Sequence, residues 1–111
     1  MTINGNDIRM IRGDTEQLVV TCQLSDGTER PFEEGDVVAF TVAWPLGETV
    51  LQKTVTSFVE GAAEILIAHE DTNELIPAEY AYDVQLTARD GTVATIIPPA
   101  RFVLEGDVTR D

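Results

Sequence analysis

Apolar and polar residues alternate with period two along most of this chain. In the stretch 15–24, Leu18, Val20, Cys22 and Leu24 fall on one side of an extended strand. In 36–44, Val38, Phe40, Val42 and Trp44 share a face. In 79–88, Tyr80, Tyr82, Val84 and Leu86 point one way, and Ala81, Asp83, Gln85 and Thr87 the other. Shorter runs occupy 7–12, 62–68 (with Ile65 and Ile67 inward), 92–97 and 101–105. The run 49–58 alternates poorly and carries Lys53, which suits an edge strand.

Turn chemistry separates these runs. Gly13-Asp14, Ser25-Asp26-Gly27, Pro45 with Gly47, Gly61 and Asp90-Gly91 each supply a residue that a tight reversal requires. Pro98-Pro99 forces a break at an edge or a bulge. Only 70–77 reads as a helical turn, with Asp71 or Thr72 as cap and Pro77 as terminator. Short strands at about ten-residue spacing predict an all-β fold. The expectation is an immunoglobulin-like, two-sheet antiparallel sandwich of seven to eight strands, forming one domain over 1–111. Its core would hold Leu18, Val20, Phe40, Val42, Trp44, Ile65, Ile67, Tyr82, Val84, Leu86 and Phe102. An exposed Trp44 would put the third strand's register out by one residue. Gln23 to Thr28 and Gln85 to Thr92 look alike, as two hairpins solving one turn problem.

Charge narrows the function. Twenty acidic residues against seven basic ones leave a formal charge of −13. Phosphate recognition needs clustered Lys and Arg, so nucleic acid and anionic membrane surfaces are disfavoured partners. The single cysteine, Cys22, rules out an intrachain disulfide; its alternating neighbours predict a buried, inert core thiol. Assembly in a reducing compartment follows. The N-terminal stretch is polar and broken by glycines, unlike a signal peptide. The longest apolar run, 37–42, is far shorter than a membrane helix.

Catalytic chemistry is sparse. Nucleophilic catalysis needs a nucleophile, a base and an orienting group. The one histidine, His69, sits where a strand gives way to an acidic loop, as a solvent-edge or partly packed residue. Ser25 and Ser57 lack nucleophile-elbow surroundings. One Cys and one His, far apart, cannot make a zinc site. The acidic clusters Glu33-Glu34-Asp36 and Glu70-Asp71-Glu74 fall on predicted loops, where solvation leaves their carboxylates ordinary. Calcium at such a loop is conceivable, but the EF-hand pattern is absent, and no cofactor is expected. Arg12-Gly13-Asp14 reads as turn chemistry between two strands.

Gly13-Asp14-Thr15, the stretch 70–77, Tyr80 to Leu86, Asp90-Gly91, Thr95-Ile96, Phe102 and Asp107-Val108-Thr109 together carry a resemblance. The chain resembles small immunoglobulin-like proteins of tailed phages and prophages, including the N-terminal domain of baseplate upper proteins. Members usually carry glycine where Ala78 stands. Leu75 would plug one end of the sandwich, and Tyr80 or Tyr82 would act as a tyrosine corner. The resemblance implies a non-catalytic component of the virion tail, made in the bacterial cytoplasm, whose partners are other tail proteins. A monomer or weak homo-oligomer is expected in isolation, since an acidic surface repels its own copies. Docking through sheet edges points to Thr49, Leu51, Lys53 and Val55 on one strand, and to Arg101 and Val103 on the strand after Pro98-Pro99. The alternative is a carbohydrate- or cell-surface-binding module on the same scaffold.

Overall fold

The computed structural model describes residues 1–109, so positions 110 and 111 of the expected domain lie outside the described residues. The described residues form an all-β sandwich of eight strands and one short helix. The strands are β1 (Thr2–Asn4), β2 (Asp7–Ile11), β3 (Glu16–Val20), β4 (Val37–Ala43), β5 (Thr49–Val55), β6 (Ala63–Ile67), β7 (Ala78–Thr87) and β8 (Val93–Glu105). One sheet has six strands in the order β1-β2-β8-β7-β4-β5, and the other pairs β3 with β6. All pairs are antiparallel except β2 with β8.

Alternation decides the core, as period two requires. Val38, Phe40 and Val42 of β4 are fully buried, as are Val84 of β7 and Ile65 and Ile67 of β6. The rings of Phe40, Tyr82 and Phe102 pack together with centroids 5.4 to 6.4 Å apart, tilted or edge-on. Tyr80 is the tyrosine corner: its hydroxyl donates to the carbonyl of Ile76, 2.5 Å away and four residues upstream. Tyr82 instead ties its hydroxyl to the carbonyl of Asn6, anchoring the β1–β2 hairpin. Burial pushes both phenols above their ordinary range, so they remain donors at neutral pH. Leu75 is half-buried against the core, and Ala78 opens β7 without a left-handed backbone.

Four expectations need correction. Trp44 is 38% exposed, yet the register of β4 is the expected one. The strand ends at Ala43, opposite a bulge at Val50 of β5, and Trp44 begins the turn, its N–H bonded to the Glu48 carbonyl. Its ring folds back onto Tyr80, with centroids 4.4 Å apart. The run 15–24 stops as a strand at Val20. Beyond it the chain forms a small hairpin in which Gln23 bridges Glu29, which leaves Cys22 half-buried and Leu24 exposed.

The expected break at Pro98-Pro99 is a bulge within one long strand. Tyr82 pairs with Ala100 and Val84 with Ile97, so the two prolines oppose the single residue Asp83. Consequently 101–105 is not an edge. It lies between β7 and the parallel strand β2, in register from Ile8 with Phe102 to Ile11 with Glu105. Finally, the helical turn is shorter than 70–77, spanning only His69–Thr72. Asp71 accepts the N–H of Ala68 at 2.7 Å, and buried Thr72 accepts the N–H of Gly13 at 2.8 Å.

Candidate functional site

The two sheets differ in width, six strands against two, and the sandwich is closed along only one side. There β5 packs against β6, and Lys53 of β5 reaches Asp71 of the helix at 2.7 Å. Lys53 pairs in register with Phe40, which places it on the core-facing side of an edge strand. An inward charge on an edge discourages further strand pairing. Along the opposite side, β3 pairs only with β6, and β2 covers β8 only from Phe102 onwards. The outer side of β3 and the first half of β8 therefore have no strand partner among the described residues.

A groove of about 880 Å³ runs between those two free edges. Its walls are 19–25 and 94–97, and Leu86 and Ala88 of the β7 end form part of its floor. Consecutive residues 94–97 of β8 line it although their side chains alternate between faces, so the main-chain edge itself forms that wall; the other is the end of β3 and the hairpin beyond it. Ile96, Ile97 and Cys22 are half-buried there, packed against the core.

Two turns of the same build flank one end of this groove. Leu24 and Thr28 close the first through a 2.8 Å backbone bond, and Ala88 and Thr92 close the second at the same length. Gly27 at φ 88° and Gly91 at φ 91° take the left-handed position of each turn. Asp26 and Asp90 each accept the N–H two residues on, at 2.9 Å. Those backbone N–H groups hold both carboxyls below their usual range, so the groove is flanked by two fixed anions. The nearby Arg30 is neutralised by Asp36, at 2.6 Å.

The expected docking residues are distributed differently from the expectation. Thr49 is exposed on the β5 edge, but Leu51 and Val55 are half-buried against the core. Lys53 is held by Asp71, as above. Arg101 is exposed, within 4 Å of Asp7 and Glu79, and Val103 is half-buried; both sit in an interior strand. The structure does not bring the six together: β5 is the expected edge strand, whereas Arg101 and Val103 lie in an interior one.

The acidic clusters are not simply solvated. Asp36 is 2% exposed, and its carboxyl accepts from Arg30, from the N–H of Glu33 at 3.0 Å and from that of Arg89 at 3.3 Å. The Arg30 hydrogen bond lowers its pKa to about 2, against the opposing cost of burial. Asp71 caps the helix and binds Lys53. Among the described residues, no three His, Cys, Asp or Glu side chains converge to hold a metal ion. His69 is partly packed, its Nδ1 2.6 Å from the Gly13 carbonyl. Arg12 of the Arg-Gly-Asp tripeptide pairs with Asp107 at 2.9 Å, and Gly13 takes φ 85°. That tripeptide is a structural turn.

A second, shallower cavity of about 530 Å³ is lined by Trp44, Pro45, Leu46, Asp83 and Pro99, with Leu46 fully exposed. No described helix is long and apolar enough to cross a membrane.

Comparison with protein families and with curated protein sequences finds no match. Among solved structures, the fold is similar to CopC from Methylosinus trichosporium OB3b. The TM-score is 0.50 at 11% identity, over 93% of this chain and 87% of the other. At that identity the likeness defines a shared sandwich architecture and nothing about activity.

Proposed function

We propose that this chain is a non-catalytic interaction component of a phage or prophage tail, at the baseplate or adhesion apparatus, which docks onto other virion proteins. One observation carries the docking role: the sandwich is left open along one side, where two strand edges face a groove with no strand between them. Unpaired main-chain groups offer directional binding without any catalytic constellation. The virion setting rests on the resemblance in 70–109, where Tyr80 fills the corner role.

A second reading is supported by the exposed ring of Trp44 beside Pro45, Leu46 and Asp83, a shallow aromatic surface of the kind that receives a sugar. Sedimentation velocity separates the two. The purified chain is run alone and with individually produced tail proteins from the same phage, at rising salt. A monomer or weak oligomer that forms a salt-sensitive complex with one tail protein supports docking. No complex with any tail protein, together with binding to cell-wall glycans that Trp44→Ala abolishes, supports the second reading instead.

A further inference from the structure

We propose that the groove between β3 and the first half of β8 receives one extended strand donated by a basic partner protein, pairing along the free edge of β3. This rests on the interaction reading above and specifies its site and the chemistry of its ligand. One wall is the end of β3 and the hairpin that continues it, 19–25, where the Cys22 carbonyl and the Leu24 N–H are already bonded to Arg30 and Thr28; the other is the β8 edge 94–97. The outer edge of β3 and that of β8 present N–H and C=O groups at strand spacing, which a further strand satisfies and a helix does not. The narrow sheet supplies the reason for choosing β3: it has two strands where the facing sheet has six, so a third strand would cover surface that β3 leaves open. A donated segment of about five or six residues, some 17–20 Å long, matches the groove walls.

The groove also fixes the pattern of the donor. Alternate side chains of the donated strand would point onto Leu86, Ile96 and Ile97, which favours valine, isoleucine or leucine at every second position. The intervening residues would face outward, near Asp26 and Asp90. Both of these anions are fixed by their own turns, and Arg30, the one cation among the described residues of the groove wall, is already committed to Asp36. Lysine or arginine at the outward positions complements this field. A second copy of the chain is the wrong donor, because each copy carries a formal charge of −13.

Cys22 is the sole cysteine, is half-exposed and lies in the groove wall, so it reports occupancy directly. The probe is a synthetic nonapeptide of alternating valine and lysine. Its controls are the same peptide with glutamate for lysine, and the lysine peptide N-methylated at alternate amides to remove main-chain pairing. The lysine peptide should bind, slow maleimide alkylation of Cys22 by about tenfold at saturation, and lose about tenfold in affinity on either change. Chain previously capped at Cys22 with a bulky maleimide should no longer bind it. Equal binding of the N-methylated peptide, or an unchanged Cys22 alkylation rate, would overturn strand addition. A tail protein that binds maleimide-capped and uncapped chain equally would overturn the groove while leaving tail docking intact. Peptide binding with no tail-protein complex would do the reverse.

Discussion

Replacing Asp36 with asparagine probes how this acidic chain holds its loop 30–36 to β4. The native carboxylate takes two hydrogen bonds from Arg30, at 2.6 and 3.4 Å, and one each from the N–H groups of Glu33 and Arg89. Asparagine keeps the shape but has one acceptor oxygen, so its amide nitrogen confronts a donor and Arg30 loses its counter-charge. Removing one partner of a buried pair costs about 3–5 kcal/mol. Arg30 is 26% exposed and can rehydrate, which places the cost near the lower end, about 3 kcal/mol. That is a large share of a margin of roughly 5–15 kcal/mol.

The pH dependence gives an independent magnitude. Folding lowers the Asp36 pKa from 3.8 to about 2, so its contribution is complete above pH 4 and is lost as pH falls towards 2. At 1.36 kcal/mol for each tenfold change in proton affinity, that contribution is about 2 kcal/mol. Other carboxylates titrate over the same range, so the informative quantity is the difference between wild type and Asp36→Asn. Urea denaturation followed by fluorescence of the sole tryptophan, Trp44, at pH 7 and at pH 2, measures it. The gap between the two proteins should narrow by about 2 kcal/mol at the acid end. A cost below about 1 kcal/mol at pH 7, or a gap that does not change with pH, would refute the assignment of Asp36 as a buried lock.

Two further substitutions test the frame of the sandwich. Tyr80→Phe leaves the Ile76 carbonyl without its hydroxyl donor and should cost about 1 kcal/mol in urea denaturation, with the fold retained in near-UV circular dichroism. Glu60 takes φ 50° beside Gly61 in the two-residue turn between Val59 and Ala62, so Glu60→Asn should stabilise by about 0.5–1 kcal/mol, read as a raised thermal midpoint.

Those elements were legible because each rests on local pattern. Val38, Phe40 and Val42 repeat at period two, the two Asp-Gly pairs demand left-handed turns, and Lys53 marks a guarded edge. What escaped the sequence depended on partners distant along the chain. Nothing near Arg101 announces that β2, some ninety residues earlier, will pair beside it in parallel. Cys22 and Leu24 continue the apolar alternation of β3, but no strand lies over them, so the pattern overstates their burial. Trp44 obeys the period of β4 and stacks on Tyr80, but it lies one residue past the end of the strand, where the residue pattern does not show that the core stops. The docking residues were sought on poorly alternating strands. One of these, β5, is indeed an outer strand, but 101–105 is interior, and the open edges of β3 and β8 belong to strands with clear patterns, because an edge is a property of topology. The signal that was available is the excess of one sheet over the other, which appears only once strand pairing is known.

The most direct test of where this protein binds is amide hydrogen exchange on the chain, free and in complex with its tail partner. Protection should rise along the two groove walls, 19–25 and 94–97, and remain unchanged along β5. Protection confined to Thr49–Val55, or to the turn around Trp44 and Leu46, would contradict the open side of the sandwich as the docking site.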